Sequence, residues 1–217
     1  NSPGNPTGGV LSKKLIQEVA EIAKRHDLFV LADEIYSRML YEGEFYSITQ
    51  IPGMLERTCI LDGFSKTYSM TGWRLGFAVA PKIIADRLAQ LAINFNSCVA
   101  GFTQKAGVAA LQGDQSPVDE MLAQFAKRRR LIVDGLNSLP GVSCRLPGGA
   151  FYVFPNISET GYKSRDAADR ILNEAGVAVL PGTAFGKHGE GFLRLSFANS
   201  ADNIEQALNR IARFLGA

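Results

Sequence analysis

The chain has 217 residues, 46% hydrophobic and 20% charged, enough for a sizeable core in one large or two small domains. A formal net charge of +2 gives no electrostatic footprint for nucleic acid. Cys59, Cys98 and Cys144, odd in number and without CxxC spacing, argue against a disulfide scaffold or a metal site and fit reduced thiols in a cytoplasm. No apolar run approaches the roughly 18 residues of a membrane span and no signal-like leader opens the chain, so no membrane contact and no secretion are expected.

The first residues, Asn1-Ser-Pro-Gly-Asn-Pro-Thr-Gly8, form a turn-dense loop with no strand leading into it. Ser12 can cap a helix in which Leu15, Val19 and Ile22 recur at helical spacing, ending near Arg25-His26. Leu28-Phe-Val-Leu-Ala32 is a continuous apolar run, which predicts a strand covered on both faces. It ends in Asp33-Glu-Ile-Tyr36, placing a carboxylate and a phenol three residues apart; Glu34, on the opposite side of an extended chain, reads as structural.

Thr58-Cys-Ile-Leu61 and Arg74-Leu-Gly-Phe-Ala-Val-Ala80 read as two further strands, with Lys66 in a loop of small and hydroxyl residues between them. Lys66 therefore lies at a strand's carboxyl end, the edge at which open α/β sheets bind ligands. A lysine near a second cation has its ammonium form disfavoured and can attack carbonyls, while Ser65 and Arg74 can hold an anion. Together they suggest a Schiff base to a phosphorylated aldehyde.

Ile84, Leu88, Leu91 and Phe95 mark a helix, and Phe102 to Leu111 another, both expected in the core. A longer helix, about 117–139, reads as the connector into a second, smaller domain, and its Lys127-Arg-Arg-Arg130 run reads as a solvated face. In that domain Val142-Ser-Cys-Arg-Leu146 and Ala150-Phe-Tyr-Val-Phe154 alternate like a hairpin around Pro147-Gly-Gly149. A helix over 164–175, short strands at 177–180 and 191–198, and a final helix with Ile204, Leu208, Ile211 and Leu215 complete it. Gly182-Thr-Ala-Phe-Gly-Lys187 is one residue short of a P-loop and reads as a turn. Arg194 interrupts the apolar Phe192-Leu-Arg-Leu-Ser-Phe197, so its guanidinium must face a cleft, solvent or an anion.

The pattern Gly63-x-Ser65-Lys66-x-x-Ser69-Met70-x-Gly72-x-Arg74-Leu75-Gly76 resembles the cofactor-lysine signature of the class I/II aminotransferases, fold type I enzymes dependent on pyridoxal phosphate. Three more stretches are similar to landmarks of that family, in its order: Asn5-Pro-Thr-Gly8, Ala32-Asp-Glu-Ile-Tyr36 and Phe192-Leu-Arg-Leu-Ser-Phe197. The resemblance implies an α/β fold: the later part of a mostly parallel-sheet cofactor domain over 1–116, then a connector helix and small α/β domain over 117–217. It implies that Lys66 carries pyridoxal phosphate as a Schiff base and is the catalytic base and acid. Arg74 and Ser65 would bind the phosphate, Asp33 the ring nitrogen, Tyr36 the ring oxygen, Asn5 the ring oxygen and the substrate carboxylate, and Arg194 that carboxylate.

Gly63 stands where some members carry a second phosphate-binding hydroxyl. The implied reaction is amino transfer between an amino acid and a 2-oxo acid, in a homodimer. Three alternatives stay open at this point: a lyase of the same fold, an aminotransferase-like module of a transcription regulator, and an inert structural fragment. The opening at Asn1 reads as a cut, with the family's preceding half expected upstream and the chain alone expected to bind cofactor weakly.

Overall fold

A computed structural model describes residues 1–216, which divide into two compact units. One comprises Asn1–Pro3 and Val10–Glu120, the other Gly4–Gly9 and residues 121–216. Among the described residues no helix is long and apolar enough to cross a membrane, and no group of three or more His, Cys, Asp or Glu could hold a metal ion.

The first unit begins with helix α1, Lys13–Arg25, whose amino end is closed by the Ser12 hydroxyl accepting the Leu15 N–H, a cap that contributes about 1 kcal/mol. Its buried face is Ile16, Ala20 and Ala23, packed with Ile48, Ile51 and Met54. The expected stripe, Leu15, Val19 and Ile22, remains 43–50% exposed. The helix is apolar on two adjacent faces, and spacing alone does not say which one a neighbour covers.

Strands β1, Val30–Asp33, β2, Thr58–Gly63, and β3, Gly76–Val79, form one sheet in the order β1-β2-β3. β1 runs parallel to β2 and β3 runs antiparallel to it. Alternate residues of β1 face opposite sides: Ala32 packs on the α1 cluster whereas Leu31 is 64% exposed. The strand expected to be covered on both faces is thus covered on one.

Helices α2, Lys82–Phe95, and α3, Gly101–Gln112, form where the apolar spacing places them, but not as core. α2 buries no residue, α3 buries only Thr103 and Gly107, and Phe95 and Phe102 are largely exposed. An apolar period marks a face that burial would stabilise; it does not supply the covering element, and all four residues of β3 are likewise exposed.

Helix α4, Ser116–Asn137, leads from the first unit into the second. Val133, Leu136 and Ile132 are buried there together with Ile204, Leu208 and Ile211 of α6, Ala201–Phe214. Gly135 permits close packing of the two helices, since a Cβ on it would run into the Leu208 side chain. The basic run is not wholly solvated: Arg129 is buried, while Arg128 lies over the Phe125 ring. Phe125 also stacks on Phe151 at 5.6 Å and meets Phe197 edge-on at 6.1 Å, which centres the core of this unit.

The small sheet is β4-β6-β5, with β4 Tyr152–Val153, β5 Leu180–Pro181 and β6 Leu193–Ser196, all antiparallel. The expected hairpin is reduced to one isolated bridge, Ser143 with Asn156. Residues 152–153 pair instead with β6, because alternation identifies a half-buried strand but not its partner. Helix α5, Ser164–Arg170, widens into a π-turn, Ile171–Ala175, before Gly176 reverses the chain at φ +65°. Gly182–Phe185 is a 3₁₀ turn, as its sequence suggests.

Candidate active site

Strand direction in the first unit delivers five of the candidate residues to a single sheet edge. Because β1 and β2 are parallel, with Asp33 opposite Leu61, both end on the same side. Antiparallel β3 begins there, with Gly76 opposite Gly63. Asp33 closes β1 with Tyr36 three residues on, Ser65 and Lys66 follow β2, and Arg74 precedes β3. The Lys66 Nζ lies 5.9 Å from the centroid of the buried Tyr36 ring.

Each segment is held by its own local chemistry. The Asp33 Oδ1 accepts the Ile35 N–H at 3.3 Å, turning the chain out of β1, and the Asp33 carbonyl accepts from the Ser2 N–H and the Asn1 Nδ2. After Lys66 the backbone folds on itself: the Phe64 carbonyl accepts from the N–H groups of Tyr68 and Met70, and the Lys66 carbonyl from that of Ser69. Ser69 and Arg74 both sit at φ +53°, a left-handed conformation that costs non-glycine residues of order 1 kcal/mol each and gathers at functional turns. The exposed Arg74 spends one N–H on the Thr71 carbonyl at 2.9 Å.

Gly63 has a steric reason to be glycine. A Cβ there would lie 2.9 Å from the Gly76 Cα and 3.0 Å from the Leu75 carbonyl oxygen. Any hydroxyl side chain at this position would push β2 and β3 apart just where Lys66 and Arg74 leave them.

The carboxylates behind this edge are protonated more readily than usual. Burial raises the Glu34 carboxyl above its ordinary value, opposed by a 2.6 Å hydrogen bond from the Ser47 hydroxyl and reinforced by the charge of Asp62. Burial raises Asp62 as well, against the Gly63 N–H it accepts at 2.6 Å, and the nearby Asp33 charge pushes it the same way. Glu34 is therefore a buried structural acid. Sequence reasoning missed a further connection: the Arg38 guanidinium donates to the Tyr68 hydroxyl at 3.0 Å and the Gln115 Oε1 at 2.8 Å. These contacts tie the segment after Tyr36 to the segment after Lys66. A polar residue two positions beyond each candidate was the only available signal.

The second unit holds the other two candidates together. Arg194, on the central strand β6, donates through Nη1 to the Asn5 Oδ1 at 3.0 Å across 189 positions of sequence. Its guanidinium lies 4.6 Å from the Tyr152 ring centroid and 4.9 Å from that of Phe185. The planar group is thus braced by two aromatic rings, while its buried Nε has no hydrogen-bond partner. A buried, unanswered N–H on a fixed cation is a donor set suited to an anion.

Comparison with known proteins agrees with this architecture. The family model for aminotransferase class I and II matches residues 1–211. The putative aminotransferase YugH of Bacillus subtilis is 46% identical over 214 residues, 99% of this chain and 55% of that protein. An aspartate aminotransferase of Pyrococcus abyssi is 44% identical over 99% of this chain and 56% of its own length. Among solved structures, the aromatic aminotransferase of Pyrococcus horikoshii superposes with a TM-score of 0.96 at 43% identity, covering 100% of this chain and 58% of that one. The chain thus spans little more than half the length of these relatives. It belongs to the class I and II aminotransferases, a family of enzymes, and has the corresponding α/β fold.

Proposed function

We propose that this chain carries the cofactor lysine and the substrate-carboxylate arginine of an enzyme that transfers an amino group from an amino acid to a 2-oxo acid, with pyridoxal phosphate as cofactor. The observation that carries the reading is the Lys66 amine facing the Tyr36 ring at the edge where Asp33, Ser65 and Arg74 also emerge. An amine, a carboxylate, a phenol and a guanidinium correspond one for one to an aldehyde, a ring nitrogen, a ring oxygen and a phosphate. The residues present therefore fit the cofactor.

When bound, the cofactor supplies an electron sink for the substrate's α-carbon. Asp33 then keeps the ring nitrogen protonated, and Tyr36 donates its hydroxyl to the ring oxygen. Arg74 and Ser65 neutralise and orient the phosphate; the left-handed backbone at Arg74 turns the chain so that the guanidinium leaves the sheet at its start. Arg194 would take the substrate α-carboxylate as a planar fork, with the Asn5 amide that it already contacts beside it. Lys66 would hold the cofactor's aldehyde, and its amine would take up and hand back the substrate α-proton as general base and acid.

The enzyme works as a homodimer in the cytoplasm, a compartment consistent with three free cysteines. The test is borohydride reduction, in the presence of pyridoxal phosphate, of the protein with the residues upstream of Asn1 restored, followed by peptide mapping. The pyridoxyl mass is expected on the Lys66 peptide and is expected to vanish in Lys66→Ala. Dominant labelling of any other lysine overturns the assignment.

A further inference from the structure

We propose that Gly8 is a positioning residue: clamped by the Gly148–Gly149 turn, it fixes the Asn5 side chain against Arg194. This rests on the reading of Arg194 and Asn5 as carboxylate ligands and adds the device that sets their spacing. Asn5 itself is exposed, and its Oδ1 accepts from Arg194.

The loop is closed on itself by the Gly4 N–H on the Gly9 carbonyl at 2.9 Å and the Gly8 N–H on the Gly4 carbonyl at 2.7 Å. It is then anchored at one atom. The Gly8 carbonyl oxygen accepts both the Gly148 N–H at 2.8 Å and the Gly149 N–H at 3.1 Å. Gly8 is buried at φ +65°, and a Cβ on it would overlap the Pro147 Cβ while approaching the carbonyl oxygens of Tyr152 and Gly149 at 3.0 and 3.1 Å. Only glycine fits that slot.

The anchoring turn runs directly into β4, whose Tyr152 ring lies against the Arg194 guanidinium. The contacts close a ring: Gly8 to the turn, the turn to Tyr152, Tyr152 to Arg194, Arg194 to Asn5, and Asn5 back through the loop to Gly8. One short element therefore sets both the height of the Asn5 amide and the stacking of the arginine. A loop that slides by an ångström parts the pair, and misplacement on that scale costs up to about a hundredfold.

The test follows the Arg194 Nε–H resonance of the whole chain during titration with sodium acetate, with sodium chloride at equal ionic strength as reference. The wild-type resonance is expected to shift with acetate. Gly8→Ala is expected to weaken that response about tenfold or more, whereas Gly9→Ala, whose added Cβ would meet only the Thr7 hydroxyl, should match wild type. Because Gly8 acts through Asn5, the double variant Gly8→Ala, Asn5→Ala should bind acetate no worse than Asn5→Ala alone.

A wild-type response that survives Gly8→Ala, or additive losses in the double variant, overturns the clamp and leaves the carboxylate reading standing. No response in wild type overturns that reading and the proposal with it. Should Gly8→Ala not fold, amide exchange in the wild-type chain decides. Slow exchange at both Gly148 and Gly149 supports the clamp, and exchange at loop rates refutes it.

Discussion

Ser164 is the residue whose removal has the most calculable cost. It is fully buried, and its hydroxyl accepts the Gly191 N–H at 2.8 Å and the Phe192 N–H at 3.2 Å while donating to the Gly189 carbonyl at 3.3 Å. One oxygen thus gathers the chain just ahead of β6, the strand that carries Arg194. Ser164→Ala deletes all three bonds, but the losses are unequal. The Phe192 N–H also reaches the Gly189 carbonyl at 3.2 Å and keeps a partner, so two net bonds at about 1 kcal/mol each, plus part of one desolvation penalty, give about 2–3 kcal/mol. For a chain of this size that is a fall in Tm of about 4–12 °C.

Urea unfolding followed by far-ultraviolet circular dichroism measures the cost. Ser138→Ala is the reference, since the Ser138 hydroxyl bonds the Gly135 carbonyl on an exposed surface and its loss should stay within about 0.5 kcal/mol. If the two variants prove equally stable, the hydroxyl does not organise the entry to β6 and the hydrogen-bond accounting is wrong.

Two further outcomes are expected. In the cofactor-loaded protein, Asp33→Asn should retain cofactor yet slow exchange of the substrate α-proton by about 10²–10³-fold, with partial rescue by a cofactor methylated at the ring nitrogen; deuterium exchange at wild-type rate would remove Asp33 from that role. Burial raises the Glu34 carboxyl above 4.5, so the folded chain holds that proton more tightly than the unfolded one and stability should fall as pH rises from 4.5 through the raised value, then level off. Glu34→Gln should flatten part of that slope in urea titrations, and an unchanged slope would show that Glu34 does not titrate with folding.

Local signals were legible in the sequence where their physics is local. The Ser12 cap and α1 form as read, as do α2, α3, α4 and α6, because helix periodicity and capping involve neighbours a few residues apart. The candidate residues of the first unit could be assigned to strand ends, and parallel pairing of β1 with β2 sets those ends side by side.

Partners distant in sequence were not legible. Nothing in Tyr152-Val153 says that β6 lies beside it rather than the residues before Pro147. Nothing in the apolar stripe of α2 says that it is left uncovered here. The glycine at position 8 reads as an ordinary turn former until the slot beneath Pro147 is seen.

The same slot orders events during synthesis. Gly8 leaves the ribosome about 140 residues before the turn that receives it, and Arg194 follows later still. At about 5–20 residues per second the opening loop waits on the order of ten seconds for its seat. The carboxy-terminal unit is therefore not a contiguous piece of chain: expressed from Met121 onward, it would present the Gly148 and Gly149 amides with their acceptor missing. The second unit is complete only once its most distant segment has returned.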